Sequence, residues 1–168
     1  MKTLKGFIAI LSITLISVFA IMAQTNLTTL DGAKVNVQGQ TGKVVVLAIG
    51  ASWLPLSGKQ ADYTSLLAKK YAGKDVVIYF VATDSSTLNS KNFASVDAIR
   101  KFGTDNRLTV KILRDPDGAA TMKKFNIEQV PSFVILDKNG VLAAEPFGGI
   151  DPKYDVTVPI SKVIDKLL

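Results

Sequence analysis

Six consecutive apolar residues, Val44-Val45-Val46-Leu47-Ala48-Ile49, constrain the fold more than any other stretch of this chain. A strand with one wet face alternates apolar and polar side chains. A run without alternation belongs in a sheet covered on both faces, where central parallel strands sit. The strand spans Lys43 to Ala51, and a connection containing Pro55 follows from Ser52 to Leu56. From Ser57 to Ala72 the apolar spacing turns helical, with Ala61, Tyr63, Leu66, Leu67 and Tyr71 on the repeat and Gly73 as the stop. Val76 to Ala82 is a second buried strand. Strand, helix and strand at this spacing form a βαβ unit, whose crossover is right-handed.

The flanking segments complete a mixed α/β sheet. Leu30-Asp31-Gly32-Ala33-Lys34-Val35 reads as a hairpin around an Asp-Gly turn. Beyond the second strand, a polar loop over residues 83–90 leads to an amphipathic helix carrying Phe93, Val96, Ile99 and Phe102 and ended by Gly103. Lys111 to Leu113 is a short strand, Asp115-Pro116-Asp117-Gly118 a turn, and about Ala119 to Phe125 a brief helix. Ser132-Phe133-Val134-Ile135-Leu136, the turn Asp137-Lys138-Asn139-Gly140, and Val141 to Glu145 make an antiparallel hairpin. Thr157 is placed as the cap of a last helix, with Pro159 in its first turn and Ile160, Val163, Ile164 and Leu167 on one face. No internal repeat or linker interrupts this order. With 168 residues, 48% of them hydrophobic, the chain has enough apolar surface for one packed core.

The first residues read as a targeting segment. Lys2 and Lys5 precede an apolar stretch from Gly6 to Met22, and Ala23 meets the polar Gln24-Thr25-Asn26. A positive start, an apolar middle and a small residue before a polar one is the layout of a secretory signal peptide. The expected organisation is therefore a signal peptide over residues 1–23 and one domain over 24–168. Ile21, where a small residue is usual, leaves the alternative that residues 6–22 stay as a membrane anchor. Either way the domain is expected outside the cytoplasm, periplasmic or secreted.

Two absences bound the chemistry: the chain has no histidine and no cysteine. Thiolate nucleophiles, disulfides, zinc–thiolate sites and histidine-based triads are all removed. Ser57 and Lys59 stand two apart on a helix and point to different faces, and Ser-x-x-Lys occurs nowhere. As a calcium loop, Asp115-Pro116-Asp117-Gly118 would place Ala119 and Asn126 at its fifth and twelfth positions, so the bidentate acid is missing. Gly148-Gly149 lacks a phosphate-loop lysine. Asp62, Asp84 and Glu128 read as solvated or capping groups. The net charge is +6, but the basic residues fall in scattered pairs (Lys69-Lys70, Arg100-Lys101, Lys123-Lys124) rather than a run interleaved with aromatics. Nucleic acid is not an expected partner. Neither a cofactor nor a metal is expected.

The order of elements, with Leu30-Asp31-Gly32, Gly42-Lys43-Val44-Val45-Val46-Leu47, Ala51-Ser52-Trp53-Leu54-Pro55-Leu56-Ser57, Tyr79-Phe80-Val81-Ala82-Thr83-Asp84, Asp115-Pro116-Asp117-Gly118 and the segment 125–140, resembles the thioredoxin superfamily. Within it the resemblance is to the TlpA-like, redoxin-type exported thiol-disulfide oxidoreductases, and it covers about residues 27–168. Peroxiredoxin-like proteins of the same superfamily are the nearest alternative, and they too need a cysteine. The resemblance implies a thioredoxin fold: a central mixed sheet flanked by helices, with the N-terminal hairpin as an extension.

It also implies a site in which a tryptophan precedes Cys-x-x-Cys at the start of the first long helix. Here the cysteine positions are Leu54 and Ser57, so no catalytic residue is carried over. Ser57 is expected to accept from a free backbone N–H at the helix start. The strand carboxylate that some members use to move protons is replaced by Ala48. Val130-Pro131 matches the family's cis-proline loop. Trp53, Leu54, Pro55, Leu56, Ser57, Val130 and Pro131 are then the candidate binding residues, or else they simply pack against the domain. The implied role is a redox-inactive module holding a peptide or protein partner. The alternative is an accessory member of a thiol-disulfide system, without thiol chemistry of its own.

Overall fold

The computed structural model describes residues 25–168; residues 1–23, read above as a signal peptide, lie outside the described residues. Seven strands form one mixed sheet in the order β2-β1-β5-β4-β3-β6-β7. The βαβ unit is β3 (Val44–Gly50), α1 (Ser57–Lys70) and β4 (Val76–Ala82). β3 and β4 run parallel, from Val44 opposite Val76 to Gly50 opposite Ala82. Every residue of β3 is buried, as its unbroken apolar run requires. β5 (Lys111–Arg114) adds parallel to β4, and the hairpin β1 (Asn26–Thr29) and β2 (Lys34–Asn36) extends that edge antiparallel. On the other side β6 (Ser132–Leu136) pairs antiparallel with β3, setting Ser132 opposite Ile49.

Strand alternation sends side chains into two apolar clusters, one on each face. Val44, Val46, Ala48, Phe80, Phe133 and Ile135 pack with Tyr63, Leu67, Ile99, Ile160 and Ile164 under the helices. Val45, Leu47, Ile49, Val81, Val134 and Leu136 pack with Leu27, Leu113, Phe125 and Ile127 on the opposite face. Burying a ring such as Phe80 or Phe133 stabilises the fold by about 2–3 kcal/mol relative to leaving it in water. Phe80 also meets Phe102 of α2 (Val96–Asp105) at 5.4 Å between ring centroids. The last helix, α3 (Thr157–Leu167), docks on α1 where the Tyr71 hydroxyl donates to Asp165 Oδ1 at 2.8 Å.

Five local expectations need correction. The side chain of Ser95 accepts from the Ala98 N–H, so α2 starts at Val96 and leaves Phe93 outside it. Gly103 lies within α2 rather than ending it; a Cβ there would stand 2.6 Å from Ile112 Cδ1, so its role is close helix–sheet contact. Residues 119–125 form successive turns instead of a continuous helix: the Met122 N–H reaches Gly118 O and the Phe125 N–H reaches Thr121 O, while the Asp115 carboxylate takes the Ala120 and Thr121 N–H groups at 2.8 and 2.9 Å. After the turn 137–140, the returning chain makes only a bridge from Leu142 to Leu136. It rejoins the sheet as β7 (Phe147–Gly148), opposite Ser132 and Phe133. Finally, Thr157 is the first residue of α3 rather than its cap: Val156 holds the cap position without a capping side chain, and Asp155 Oδ1, just before it, accepts from the Thr157 N–H at 2.9 Å and from the Thr157 hydroxyl at 2.6 Å.

Candidate functional site

Every expected binding residue except Ser57 lies in a connection at one edge of the sheet. β3 runs out at Gly50, and the chain turns through Trp53, Leu54 and Pro55 into α1. Because Ile49 pairs with Ser132, residues 130–131 enter β6 at that same edge. The register therefore brings Trp53–Ser57 and Val130–Pro131 to one corner, from segments more than seventy residues apart in sequence.

The side chains at this corner divide by exposure. Trp53 is 50% exposed and Pro55 is exposed, Leu54 and Leu56 are half-buried, and Ser57 is fully buried. Leu56 packs against the helix-side core. Pro131 is buried and Val130 half-buried, and the bond between them is cis. The Pro131 carbonyl accepts from the Gly149 N–H at 3.2 Å, which ties the loop to the end of β7. Trp53 and Pro55 are thus the apolar groups most open to a partner.

Two turns of backbone hold the corner in shape. The Leu54 N–H donates to Ala51 O at 3.2 Å, and the Ser57 N–H to Leu54 O at 3.1 Å. Leu56 is the residue at the cap position, in a helical conformation and without a capping side chain. Ser57 is consequently inside the helix, one step too late to cap it. Its hydroxyl is directed at Gly50, with Oγ 3.1 Å from where a Cβ on that glycine would lie, and has no hydrogen-bond partner among the described residues. This corrects the expected capping role.

Sequence reasoning missed two positioning residues. Gln60 is fully buried one turn below Ser57, and its Nε2 donates to Ile49 O at 3.1 Å and to Ser132 O at 2.9 Å. One side chain thereby joins α1, β3 and β6 beneath the corner. Gln60 Oε1 would collide with any side chain at Gly50, and, like Ser57 Oγ, it has no partner among the described residues. The available signal was the shared face of Ser57, Gln60, Thr64 and Leu67, all buried at helical spacing.

The second is Asp84, which is fully buried rather than solvated. Its carboxylate accepts from the Ser52 N–H at 3.0 and 3.1 Å and from the Ser52 hydroxyl at 2.5 Å. Asp84 therefore clasps the residue before Trp53 to the end of β4. Asp62 and Glu128 are exposed, as expected.

In reactive terms the corner is sparse. Leu54 offers no nucleophile, and Ser57 has no histidine or lysine placed to activate it. Ala48 is buried in the helix-side cluster, so β3 presents no carboxylate there. Among the described residues no group of three or more histidine, cysteine, aspartate or glutamate side chains could hold a metal ion.

The comparisons with known proteins agree with this frame. The chain is 30% identical over 121 residues to the thioredoxin-like protein YneN of Bacillus subtilis, a match covering 70% of this chain and 64% of that protein. It spans less than two thirds of the length of the curated relatives it matches. A secreted disulfide oxidoreductase of Mycobacterium tuberculosis superposes with a TM-score of 0.64 at 24% identity, covering 86% of this chain and 96% of the other. The exposed lipoprotein thioredoxin of Streptococcus pneumoniae gives 0.67 at 22% identity, with 86% and 100% covered. Both share the thioredoxin fold. The Redoxin family model matches residues 16–157, and the chain belongs to the redoxin family.

Proposed function

We infer that this protein is a redox-inactive thioredoxin-like module that binds a peptide or protein segment outside the cytoplasm, through the corner of Trp53–Ser57 and Val130–Pro131. The observation that carries the reading is a contrast within that corner. Both reactive positions are occupied by Leu54 and Ser57, while Trp53 and Pro55 stay open to solvent beside the Pro131 loop. Thiol–disulfide exchange needs a thiolate, and a chain without cysteine supplies none. An exposed aromatic edge next to the Pro131 loop suits an apolar polypeptide segment. The secreted and surface-exposed standing of the two structural neighbours supports export, as does the layout of residues 1–23. Among the described residues no helix is long and apolar enough to cross a membrane.

Trp53 is the chain's only tryptophan, so its fluorescence reports on the corner directly. Titration with a reduced, carboxymethylated polypeptide is expected to shift Trp53 emission saturably, and Pro131→Ala to weaken that response at least tenfold. Emission that stays flat up to millimolar polypeptide sinks the binding reading. In the same preparation, insulin reduction by dithiothreitol should proceed at the uncatalysed rate; acceleration would refute redox inactivity. A second reading, an accessory to a thiol-disulfide system, rests on the disulfide oxidoreductase among the neighbours. It predicts a specific complex with a cysteine-bearing protein instead of general polypeptide affinity.

A further inference from the structure

Two cavities along one side of the molecule share a wall. The first, of about 490 Å³, lies between the β1–β2 turn, the C-terminal half of α2 and the start of β5. The second, of about 830 Å³, lies between α1 and residues 106–109, which follow α2. Arg107 lines both. No residue of the Trp53–Pro131 corner lines either, so this surface is separate from the site proposed above.

The surface holds most of the domain's excess charge. Five cations line it: Lys59 and Lys69 of α1, Arg100 of α2, Arg107, and Lys111 of β5. Only two acids join them, Asp31 and Asp62, and Arg100 takes Asp31 at 3.1 Å. Among the described residues Lys69, Arg107 and Lys111 have no ion-pair partner. Residues 25–168 contain every acid of the chain and all its cations except Lys2 and Lys5, so the domain's net charge is two below the +6 of the whole chain. An excess of three on one side accounts for most of it.

The same cations surround apolar ground. Lys59, Asp62, Leu66 and Lys69 follow one another along one stripe of α1 at helical spacing, and Leu66 in their midst is 55% exposed. In the first cavity Leu30, Leu108 and Val110 are half-buried and pack against the helix-side core. A half-exposed leucine and an apolar floor, ringed by unpaired cations, are complementary to a chain that alternates apolar side chains with carboxylates.

We propose that this α1–α2 face docks an acidic, leucine-bearing segment of a protein partner, with carboxylates at Lys69, Arg107 and Lys111 and an apolar side chain against Leu66. A second copy of the chain would set the same positive charge against itself, which disfavours self-association here. Separate concave cavities suit individual side chains better than the flat surface of a bilayer.

The test uses the full chain and three labelled helix-forming peptides read by fluorescence anisotropy: one of leucine and glutamate, one with glutamine for glutamate, and one with serine for leucine. The leucine–glutamate peptide is expected to bind about tenfold more tightly than either control, an advantage that shrinks in 1 M salt. The triple variant Lys69→Gln, Arg107→Gln, Lys111→Gln should erase the preference for glutamate, and Leu66→Ser the preference for leucine. The triple variant Lys43→Gln, Lys91→Gln, Lys153→Gln removes the same charge from exposed positions outside both cavities and should leave binding unchanged. An equal loss in both triple variants would reduce the effect to net charge and overturn the proposal. Binding abolished by Trp53→Ala would move the peptide to the corner and overturn it as well. So would the absence of peptide binding, whether or not the chain sediments with phosphatidylglycerol vesicles; sedimentation would assign the face to a membrane instead.

Discussion

Two buried polar clusters sit at the C-terminal edge of the parallel strands, and they are finished differently. At the Asp115 turn, after β5, the carboxylate accepts from the Ala120 N–H at 2.8 Å, the Thr121 N–H at 2.9 Å and the Thr121 hydroxyl at 2.6 Å. Asp115 and Thr121 are both buried, and all three donors have found it. At the β3–α1 corner, Ser57 Oγ and Gln60 Oε1 are equally buried and have no partner among the described residues. Leaving a buried polar group unmatched costs about 1–3 kcal/mol, so folded chains seldom tolerate it for structure alone. The turn is polar because the backbone there needs acceptors. The corner is polar without such a need: the Gln60 amide serves two strands through Nε2, while its Oε1 and Ser57 Oγ meet no donor among the described residues.

If that distinction holds, the largest loss comes from the satisfied cluster. Asp115→Ala strands three donors, two of them on the fully buried Thr121, and it should lower unfolding stability by about 3 kcal/mol in urea titrations followed by circular dichroism. A loss below about 1 kcal/mol would show that the turn relaxes to meet solvent and would break the comparison. Asp84→Ala is intermediate. It releases the Ser52 N–H and hydroxyl, but Ser52 is only half-buried and water can replace part of the carboxylate's role. About 2 kcal/mol is expected. Trp53 emission should move toward that of a freely solvated indole, because the clasp holds the residue before it. Unchanged emission would show that the Trp53 turn keeps its shape without Asp84.

The sheet was legible in the sequence because its signals are local and strong. Val44–Ile49 has no polar interruption, and the α1 repeat runs from Ala61 to Tyr71 between clear boundaries. The Asp-Gly hairpin also declares itself, in Leu30–Ala33 between β1 and β2. Errors gathered where a side chain from outside an element decides its end. Ser95 caps α2, and the Asp155 and Asp115 carboxylates hold the chain before α3 and after β5, each through a hydrogen bond that no apolar period encodes.

The candidate site was legible as a string and opaque as a geometry. Resemblance located Trp53–Ser57 and Val130–Pro131, but Gln60 and Asp84 act across the sheet. Their partners, Ser132 at a separation of 72 residues and Ser52 at 32, follow only from the strand register. A polar residue at a buried helical position is ambiguous until its partners are known.

The smallest expected effect is the sharpest test of the contrast. Ser57→Ala removes a hydroxyl that makes no hydrogen bond and leaves the Cβ in place among well-packed neighbours. The lost oxygen had been taken out of water without compensation, so its removal should leave stability within about 0.5 kcal/mol or raise it by up to about 1 kcal/mol. Alanine is also tolerated well in a helix, and Leu56, not residue 57, holds the cap position, so no capping contribution is lost with the serine. Thermal unfolding of the variant beside the parent measures the difference directly. A loss above about 1.5 kcal/mol would mean that Ser57 Oγ is matched in solution, most simply by a water shared with Gln60 Oε1. The corner would then be as complete as the Asp115 turn, and its polarity would need the same structural explanation.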